Sequence, residues 1–288
     1  MTRIVSTINL KGGVGKTTLT VALAEFLAEE KGKKVLVIDI DPQTNASVAL
    51  IDQERWRDLN KAGKTLSQLF TDKFTGTSRF KIEESIVKKV SNLHGGINGL
   101  DLLPSSLDLI DIQDRLPLIP SMTMYRGNPV TVLKEAMDGI ISEGSYDYIL
   151  IDCPPNLGLI TQNALKISDS YIIPVIPDIL SSLGIPQIIQ RIKDFGNNWS
   201  TTINPIGIVF TKVRSIRLHD STARQIRSDS ASGLYPRVWK TEIKEASRTG
   251  EAFDYNSSPN TLKQKYGYGS YYETYESLCQ EFVRECPS

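Results

Sequence analysis

A glycine cluster flanked by two lysines near the amino terminus has the clearest chemical character in the sequence. Residues 9–18 read Asn-Leu-Lys-Gly-Gly-Val-Gly-Lys-Thr-Thr, and they follow an apolar stretch and precede an amphipathic one. Glycines let successive backbone N–H groups turn toward one anion, and the amino terminus of a helix adds partial positive charge. The segment therefore predicts a phosphate-binding loop. In such a loop Lys16 reaches the β- and γ-phosphates of a nucleotide, Thr17 ligates Mg²⁺, and Thr18 supports the α-phosphate.

The loop departs from the strict phosphate-loop pattern at its first position. That pattern, Gly-x-x-x-x-Gly-Lys-[Ser/Thr], requires glycine at residue 10, where this chain has Leu10 followed by an additional lysine, Lys11. The string resembles the deviant Walker A box of the ParA/MinD superfamily. The resemblance implies ATP as the nucleotide, and it implies that Lys11 crosses a nucleotide-sandwich dimer to contact the partner's phosphates. The nucleotide-binding residues implied are Lys11, Gly12, Gly13, Val14, Gly15, Lys16, Thr17 and Thr18.

Acidic residues end two further apolar stretches that we expect to be strands. The stretch 35–38 runs into Asp39 and Asp41, and the stretch 148–151 ends at Asp152. Carboxylates at the carboxyl ends of parallel strands, beside a phosphate loop, can order the waters of Mg²⁺ or position an attacking water. The two segments resemble the Asp-x-Asp-Pro-Gln and Asp-x-Pro-Pro boxes of the same superfamily. The resemblance implies that Asp41 is catalytic together with Lys11 and Lys16, and that the metal is surrounded by Thr17, Asp39 and Asp152.

Short apolar runs alternate with segments of helical periodicity over most of the chain. This alternation predicts an α/β fold, a mostly parallel twisted sheet flanked by helices on both faces. The predicted strands are Arg3–Asn9, Lys34–Asp39, Leu100–Leu103, Tyr148–Asp152, Tyr171–Ile176 and Pro205–Thr211. We expect a single domain over residues 1–288, with a polar insertion of short helices at about 52–99. A carboxyl-terminal helical segment is expected from about 259, with Tyr271, Tyr275, Leu278 and Phe282 on one face.

Composition places the chain among ordinary globular proteins. Its 288 residues are 40% hydrophobic, with 33 basic and 33 acidic side chains, which excludes the disordered, collagen-like and disulfide-scaffold classes. Three scattered cysteines favour a reducing compartment. No apolar run approaches the roughly 18–20 residues that cross a bilayer, and the first residues do not resemble a signal peptide. We therefore expect a cytoplasmic protein.

The carboxyl-terminal half carries a local excess of positive charge although the whole chain is neutral. Between residues 211 and 251, nine basic residues stand against five acids. A dimer would double this excess, which suits binding to duplex DNA without sequence preference. A solvated face of mixed charge is the other explanation for such a run. The candidate DNA contacts are Arg214, Arg217, Arg224, Arg227, Lys240, Lys244 and Arg248.

The resemblance leaves three classes of function open. A ParA-type partition ATPase binds DNA as an ATP dimer and is released when a partner stimulates its slow hydrolysis. A MinD-type relative binds membrane through a basic, apolar terminal helix, but residues 270–288 carry four glutamates against Arg284 alone. A nitrogenase-iron-protein-like reductase needs paired cysteines, whereas Cys153 is the only cysteine near the nucleotide motifs.

We therefore expect a dimerising ATPase that uses ATP and Mg²⁺ and associates with the nucleoid. Its expected role is plasmid or chromosome partition, and its expected partners are a second copy, non-specific duplex DNA and a centromere-binding or adaptor protein that stimulates hydrolysis. No membrane partner is expected. The alternatives are a MinD-like membrane-associated ATPase and a ParA-like ATPase that positions a protein cargo such as a carboxysome.

Overall fold

Seven parallel strands form one sheet in the computed structural model of the chain, which describes residues 1–118, 127–245, 255 and 259–288. The order across the sheet is β3-β2-β4-β1-β5-β6-β7. The strands are β1 (Arg3–Thr7), β2 (Val35–Asp39), β3 (Leu100–Leu103), β4 (Tyr148–Asp152), β5 (Ser170–Val175), β6 (Asn204–Val213) and β7 (Val238–Lys244). The predicted fold class is confirmed, and β7 is a strand that the sequence did not indicate.

Helices connect the strands and cover both faces of the sheet. Those before β4 are α1 (Lys16–Glu29), α2 (Asn45–Leu50), α3 (Gln53–Lys61), α4 (Leu66–Thr75), α5 (Ile82–Ser85), α6 (Leu109–Arg115) with the 3-10 turn Leu116–Leu118, and α7 (Val132–Glu143). Those after it are α8 (Leu159–Ile167), α9 (Ile179–Trp199), α10 (Arg217–Ala231), α11 (Leu262–Tyr266) and α12 (Ser270–Glu285). Among the described residues, no helix has the length and apolarity needed to cross a membrane.

Two apolar cores lie on opposite faces of the sheet because successive side chains of a strand point to opposite sides. In β4, Tyr148 and Leu150 belong to the core beneath α1, α2, α11 and α12. Ile149 and Ile151 belong to the other core, beneath α4 and the helices α6 to α10. Every residue of β4 is therefore buried, which explains its continuous apolar run.

The segment 52–99 forms the predicted short helices and covers the β3 edge of the sheet. An antiparallel bridge joins Val87 to Leu102 of β3, so the edge strand is not left open. Trp56 of α3 donates its indole N–H to the Ser105 carbonyl at 3.0 Å. The insertion is thus packed onto the domain through buried side chains.

The terminal helix α12 packs against α1 and β7, and its buried face includes a different tyrosine from the one predicted. Tyr272, Tyr275, Leu278 and Phe282 are buried, whereas Tyr271 is 40% exposed, so its predicted place in the core was wrong. Both tyrosines have helical spacing relative to Tyr275, and the pattern alone cannot separate them. Tyr272 is held in place by donating its hydroxyl to Glu30 at 2.7 Å.

Candidate functional site: a phosphate loop at the carboxyl edge of the sheet

The predicted phosphate loop lies between β1 and α1, at the carboxyl ends of the central strands. Gly13 and Gly15 have φ of 73° and 80°, the left-handed region that glycine adopts without strain. A Cβ added at Gly12 or Gly13 would meet no heavy atom within 4 Å, so the loop backbone faces open space. The loop borders a pocket of about 420 Å³ that also includes Lys16, Thr17, Asp41, Gln43 and Lys212. The geometry is a cradle large enough for a polyphosphate.

Lys16 lies at the base of this pocket. It is 6% exposed, and its ammonium donates to the Lys11 carbonyl at 3.3 Å. Burial lowers the pKa of Lys16, while the nearby carboxylates of Asp152 and Asp41 oppose that effect. A buried cation therefore faces the loop, where its ammonium can donate charge-assisted hydrogen bonds to phosphate oxygens.

Asp152 and Thr17 are brought into direct contact. The Thr17 hydroxyl donates to Asp152 Oδ2 at 2.6 Å, while the other oxygen, Asp152 Oδ1, is buried with no hydrogen-bond partner among the described residues. Burial and the neighbouring Asp39 carboxylate raise the pKa of Asp152 well above its usual value. An orphaned, buried carboxylate oxygen beside a threonine hydroxyl fits a hydrated Mg²⁺, which would supply the missing positive charge.

Asp39 has a different environment from the one the sequence suggested for a metal-shell residue. It pairs in register with Asp152 across β2 and β4, but both its oxygens are already occupied. Ser47 donates to Asp39 Oδ2 through its backbone N–H and its hydroxyl, each at 2.7 Å, and the Asp41 N–H donates to Oδ1 at 3.1 Å. Burial raises the pKa of Asp39 to about 7, against these hydrogen bonds. Asp39 therefore anchors the segment 41–47.

Asp41 is the acid that this segment presents to the pocket. Its Oδ1 accepts from the Gln43 N–H at 2.9 Å, and burial raises its pKa while that bond and Lys16 lower it. Among the described residues, no group of three His, Cys, Asp or Glu side chains could hold a metal by itself. Any Mg²⁺ here needs oxygen ligands from a nucleotide or water, as is common for this ion.

The additional lysine of the loop is engaged by an acid that the sequence analysis missed. Lys11 Nζ donates to Asp178 Oδ2 at 2.6 Å, and Asp178 Oδ1 caps α9 by accepting from the Ser181 N–H at 2.7 Å. The Lys11 bond, together with those from Ser181, lowers the pKa of Asp178 although partial burial would raise it. An aspartate is a common N-terminal helix cap, so the sequence could have identified residue 178 as the start of a helix. The contact between Asp178 and Lys11 could not be predicted in this way, because it depends on β1 and β5 being neighbours.

A second, smaller hollow adjoins the phosphate pocket. It is lined by the phosphate-loop residues Gly15 and Thr18, the end of β6 and the end of β7, including Ile243. The Thr211 hydroxyl donates to the Val14 carbonyl at 2.7 Å, which fixes β6 against the loop. Thr211 and Lys212 therefore lie beside the phosphate loop. The contribution of β7 was not foreseen because β7 itself was not.

The predicted basic residues divide into paired and unpaired groups. Arg214 is paired with Glu245, and Arg227 donates to Glu242 at 2.8 Å and to the Trp239 carbonyl at 3.0 Å. Within residues 127–245, no carboxylate pairs with the other four described candidates, all of which are exposed: Arg217, Arg224, Lys240 and Lys244. Arg248 lies outside the described residues.

Comparison with known proteins agrees with this geometry. A family model described as an AAA domain matches residues 2–204. The sporulation initiation inhibitor protein Soj of Bacillus subtilis is 31% identical over 252 residues, covering 88% of each chain. The chromosome-partitioning ATPase Soj of Treponema pallidum is 32% identical over 240 residues, covering 82% of each chain.

Solved structures share the fold at lower sequence identity. A plasmid partition protein of Borrelia burgdorferi bound to AMPPNP superimposes with a TM-score of 0.72 at 21% identity, covering 99% of this chain and 100% of that one. A Cyanothece McdA–ATP complex gives 0.73 at 19% identity, covering 98% and 96%. With its phosphate loop, its acids and relatives above 30% identity along most of its length, the chain belongs to the ParA/MinD family of P-loop ATPases.

Proposed function

We propose that this protein is an ATP-dependent dimerising ATPase that binds duplex DNA without sequence preference in its ATP state and positions a cargo. The observation that carries the proposal is the phosphate loop in which Lys11 and Lys16 flank the glycines beside Asp41 and Asp152. A centromere-binding or adaptor protein would stimulate hydrolysis and so release the dimer from DNA. The protein would act in the cytoplasm, on the nucleoid.

The bound nucleotide is ATP with Mg²⁺. The loop amides of residues 12–18 and the Lys16 ammonium hold the phosphate oxygens, and the hollow at the ends of β6 and β7 takes the base. Thr17 and Asp152 would hold the Mg²⁺, and Asp152 Oδ1, which has no hydrogen-bond partner among the described residues, would accept from a water of the ion. When bound, the ion neutralises charge on the β- and γ-phosphate oxygens.

Hydrolysis is assigned to a water held by Asp41. The water oxygen attacks the γ-phosphorus in line, the bond to the bridging oxygen of ADP breaks, and the water proton passes to the Asp41 carboxylate. Burial raises the pKa of Asp41 and so makes it a better proton acceptor than an exposed aspartate. Asp39 acts as a positioning residue, because its bonds to Ser47 and to the Asp41 N–H fix the segment that carries Asp41.

Lys11 links hydrolysis to dimerisation. To contact the nucleotide of a second subunit, its ammonium has to leave Asp178, with which it is paired at 2.6 Å. Both side chains are partly exposed, so the pair costs little to open in water. The intersubunit contact would replace one charge-assisted bond by another.

The exposed face of α10 and the adjoining end of β7 are the proposed DNA surface. Arg217, Arg224, Lys240 and Lys244 are exposed there, whereas Arg214 and Arg227 are engaged with carboxylates. A surface cation that contacts a DNA phosphate displaces counterions from the DNA, and this displacement favours binding. A cation that is paired with a carboxylate must first break that ion pair, so its net contribution to binding is smaller. Arg217, Arg224, Lys240 and Lys244 are therefore the favoured contacts, and Arg248, which lies outside the described residues, stays a candidate from the sequence alone.

A membrane-bound mode of action is disfavoured by the packing of α12. The apolar residues Tyr272, Tyr275, Leu278 and Phe282, which a lipid-binding helix would need on its free side, are buried against α1 and β7. Its polar side carries acids. The cargo proposed first is a chromosome or a plasmid, because a relative and a structural neighbour are named as partition proteins. A protein cargo is the second choice.

Sedimentation velocity and ATPase assays test this proposal together. With ATP and Mg²⁺ the protein should become dimeric, and with ADP it should remain monomeric. Lys11→Ala should still bind ATP but stay monomeric, whereas Lys16→Ala should lose ATP binding. Turnover of the protein alone should lie well below the roughly 1–100 s⁻¹ of kinases. A monomer in every nucleotide state, or fast unstimulated turnover, would refute the proposed switch.

A further inference from the structure

The first two turns of α9 expose large apolar side chains on their outer face. Ile179, Leu180 and Leu183 are 58%, 69% and 61% exposed, respectively. The opposite face of the same turns is packed into the core by Ser181 and Ile185, which are 4% and 1% exposed. The three exposed side chains contribute little to the cores of the domain, and neighbouring exposed apolar groups of this kind are typical of interaction surfaces.

The apolar character is confined to these two turns. Farther along α9 the outer face becomes polar, with Gln187, Gln190, Arg191 and Asp194 all exposed. Pro186 lies at the boundary and lacks the N–H that would have bonded one turn back. The exposed side chains are therefore a local patch, here called the α9 patch and defined as Ile179, Leu180 and Leu183.

The position of the α9 patch identifies its partner. Asp178, the residue immediately before it, holds the Lys11 ammonium at 2.6 Å. The patch spans the next five residues of helix, so all of it lies within about 8 Å of Asp178 along the axis. In the proposed function, Lys11 reaches a second subunit, so the surface next to Lys11 must face that subunit.

We propose that the α9 patch is an apolar part of the ATP-dependent interface between two copies of this chain. The inference rests on the proposed dimer and adds the residues that stabilise it. In a two-fold dimer the same patch is buried on both copies, so each substitution acts twice. The patch covers only part of the interface, because a stable interface buries roughly 800 Å² on each partner. The nucleotides and the Lys11 contacts would supply the rest.

The first test compares dimer dissociation constants by sedimentation velocity with ATP and Mg²⁺, in an Asp41→Ala background that slows hydrolysis. Leu180→Ser with Leu183→Ser should weaken the dimer at least about tenfold, since apolar area is lost on both copies. The matched control is Leu234→Ser with Tyr268→Ser, which removes apolar groups that are 66% and 67% exposed elsewhere. The control should leave the dimer unchanged. Binding of a fluorescent ATP analogue should be equal in all three proteins.

The outcomes separate the two proposals. If the background protein dimerises with ATP and the α9 double variant dimerises equally well, the patch is not in the interface and the proposed dimer stands. Loss of ATP binding in the double variant would also contradict the inference, because the patch would then serve the nucleotide site. If the background protein itself stays monomeric with ATP, the proposed function fails and the inference fails with it.

A second measurement needs no loss of function. The native cysteines Cys153, Cys279 and Cys286 are buried, so a Leu183→Cys variant can be labelled selectively with an environment-sensitive fluorophore. ATP should shift the emission to the blue, the shift should grow with protein concentration, and Lys11→Ala should abolish it. An unchanged emission, or a shift that is independent of concentration, would overturn the inference.

Discussion

At the residue scale, the acids of the site differ in how their carboxylate oxygens are hydrogen-bonded. Asp41 lines the pocket, and Asp152 keeps one buried oxygen without a hydrogen-bond partner among the described residues. Asp39 instead accepts hydrogen bonds at both oxygens, from Ser47 and from the Asp41 N–H. Their position at the end of a predicted strand indicated that Asp39 and Asp41 lie near the phosphate loop, and in the structure Asp41 lines the pocket that the loop borders. The difference in their partners could not be predicted, because it depends on how α2 folds back over the end of β2.

Asp41→Ala should separate ATP binding from ATP hydrolysis. The substitution removes the carboxylate that holds the water but leaves the phosphate loop, so hydrolysis should fall by roughly 10²–10⁴-fold while ATP affinity stays similar. Single-turnover hydrolysis and titration with a fluorescent ATP analogue measure the two quantities. Asp111→Ala, an exposed acid on α6, is the control and should match the wild type in both. Unchanged hydrolysis in Asp41→Ala would remove Asp41 from the proposed chemistry.

At the element scale, a buried ion pair connects the carboxyl-terminal helix α11 to α1, the helix that follows the phosphate loop. Lys265 of α11 donates to Glu25 of α1 at 2.7 Å, and both side chains are fully buried. Glu25 also accepts from the Tyr266 hydroxyl at 2.7 Å. The helix that begins in the phosphate loop is thereby joined to the carboxyl-terminal segment.

Lys265→Met should destabilise the fold strongly, because it leaves the Glu25 carboxylate buried without its cation. The expected loss in free energy of unfolding is about 3–5 kcal/mol. The double variant Glu25→Gln with Lys265→Met removes that charge, retains an acceptor for Tyr266, and should recover much of the loss. Chemical denaturation of both variants measures the two values. If the double variant were as unstable as Lys265→Met, the loss of stability could not come from the unpaired, buried Glu25 carboxylate.

Asp72 stabilises the turn between α4 and α5 in a pH-dependent way. Burial alone would raise its pKa, but hydrogen bonds from the Phe80 N–H, Thr77 and Gln68 outweigh it and lower the pKa below the usual 3.8. A carboxylate whose pKa is lowered by folding contributes stability above its unfolded pKa and loses it as the pH falls through the folded value.

Asp72→Asn should therefore lower the free energy of unfolding at pH 7 by about 1–3 kcal/mol. The gap between variant and wild type should shrink as the pH falls below about 4, where the carboxyl group is protonated first in the unfolded chain, and close as the pH falls through the lower folded-state pKa. Denaturant titrations across this pH range test it, with Asp138→Asn on the exposed side of α7 as the control. A gap that is constant with pH would contradict the assignment.

The sequence predicted elements well where their signal was local and poorly where it was not. Six predicted strands carried short apolar runs rich in β-branched residues, and all six are present. In β7, at the edge of the sheet, charged residues alternate with Trp239 and Ile243. This strand-like alternation was missed because the segment was interpreted only as part of a basic region. Tyr271 was assigned to the core because either of two adjacent tyrosines satisfied the helical spacing. Asp178 was missed because its contact with Lys11 joins residues 167 positions apart.

At the scale of the whole molecule, the phosphate loop, Lys11 and the α9 patch all lie at the carboxyl ends of the strands. The exposed cations Arg217, Arg224, Lys240 and Lys244 lie on α10 and β7, which flank the β6 side of the same site. A dimer formed across that end of the sheet would bring two sets of these cations together and double the charge offered to DNA. ATP binding and DNA binding would then be a single event, and hydrolysis would end both.

Binding of the purified protein to non-specific duplex DNA, with ATP, ADP or no nucleotide over a range of salt concentrations, tests this coupling most directly. We expect binding only with ATP, weakening steeply with salt because phosphate contacts release counterions. Lys11→Ala should abolish it, and Arg217→Ala with Arg224→Ala should reduce it and flatten the salt dependence, whereas Lys134→Ala on α7 should not. DNA binding that is equal in all nucleotide states, or absent in all of them, would contradict the proposed ATP-dependent switch.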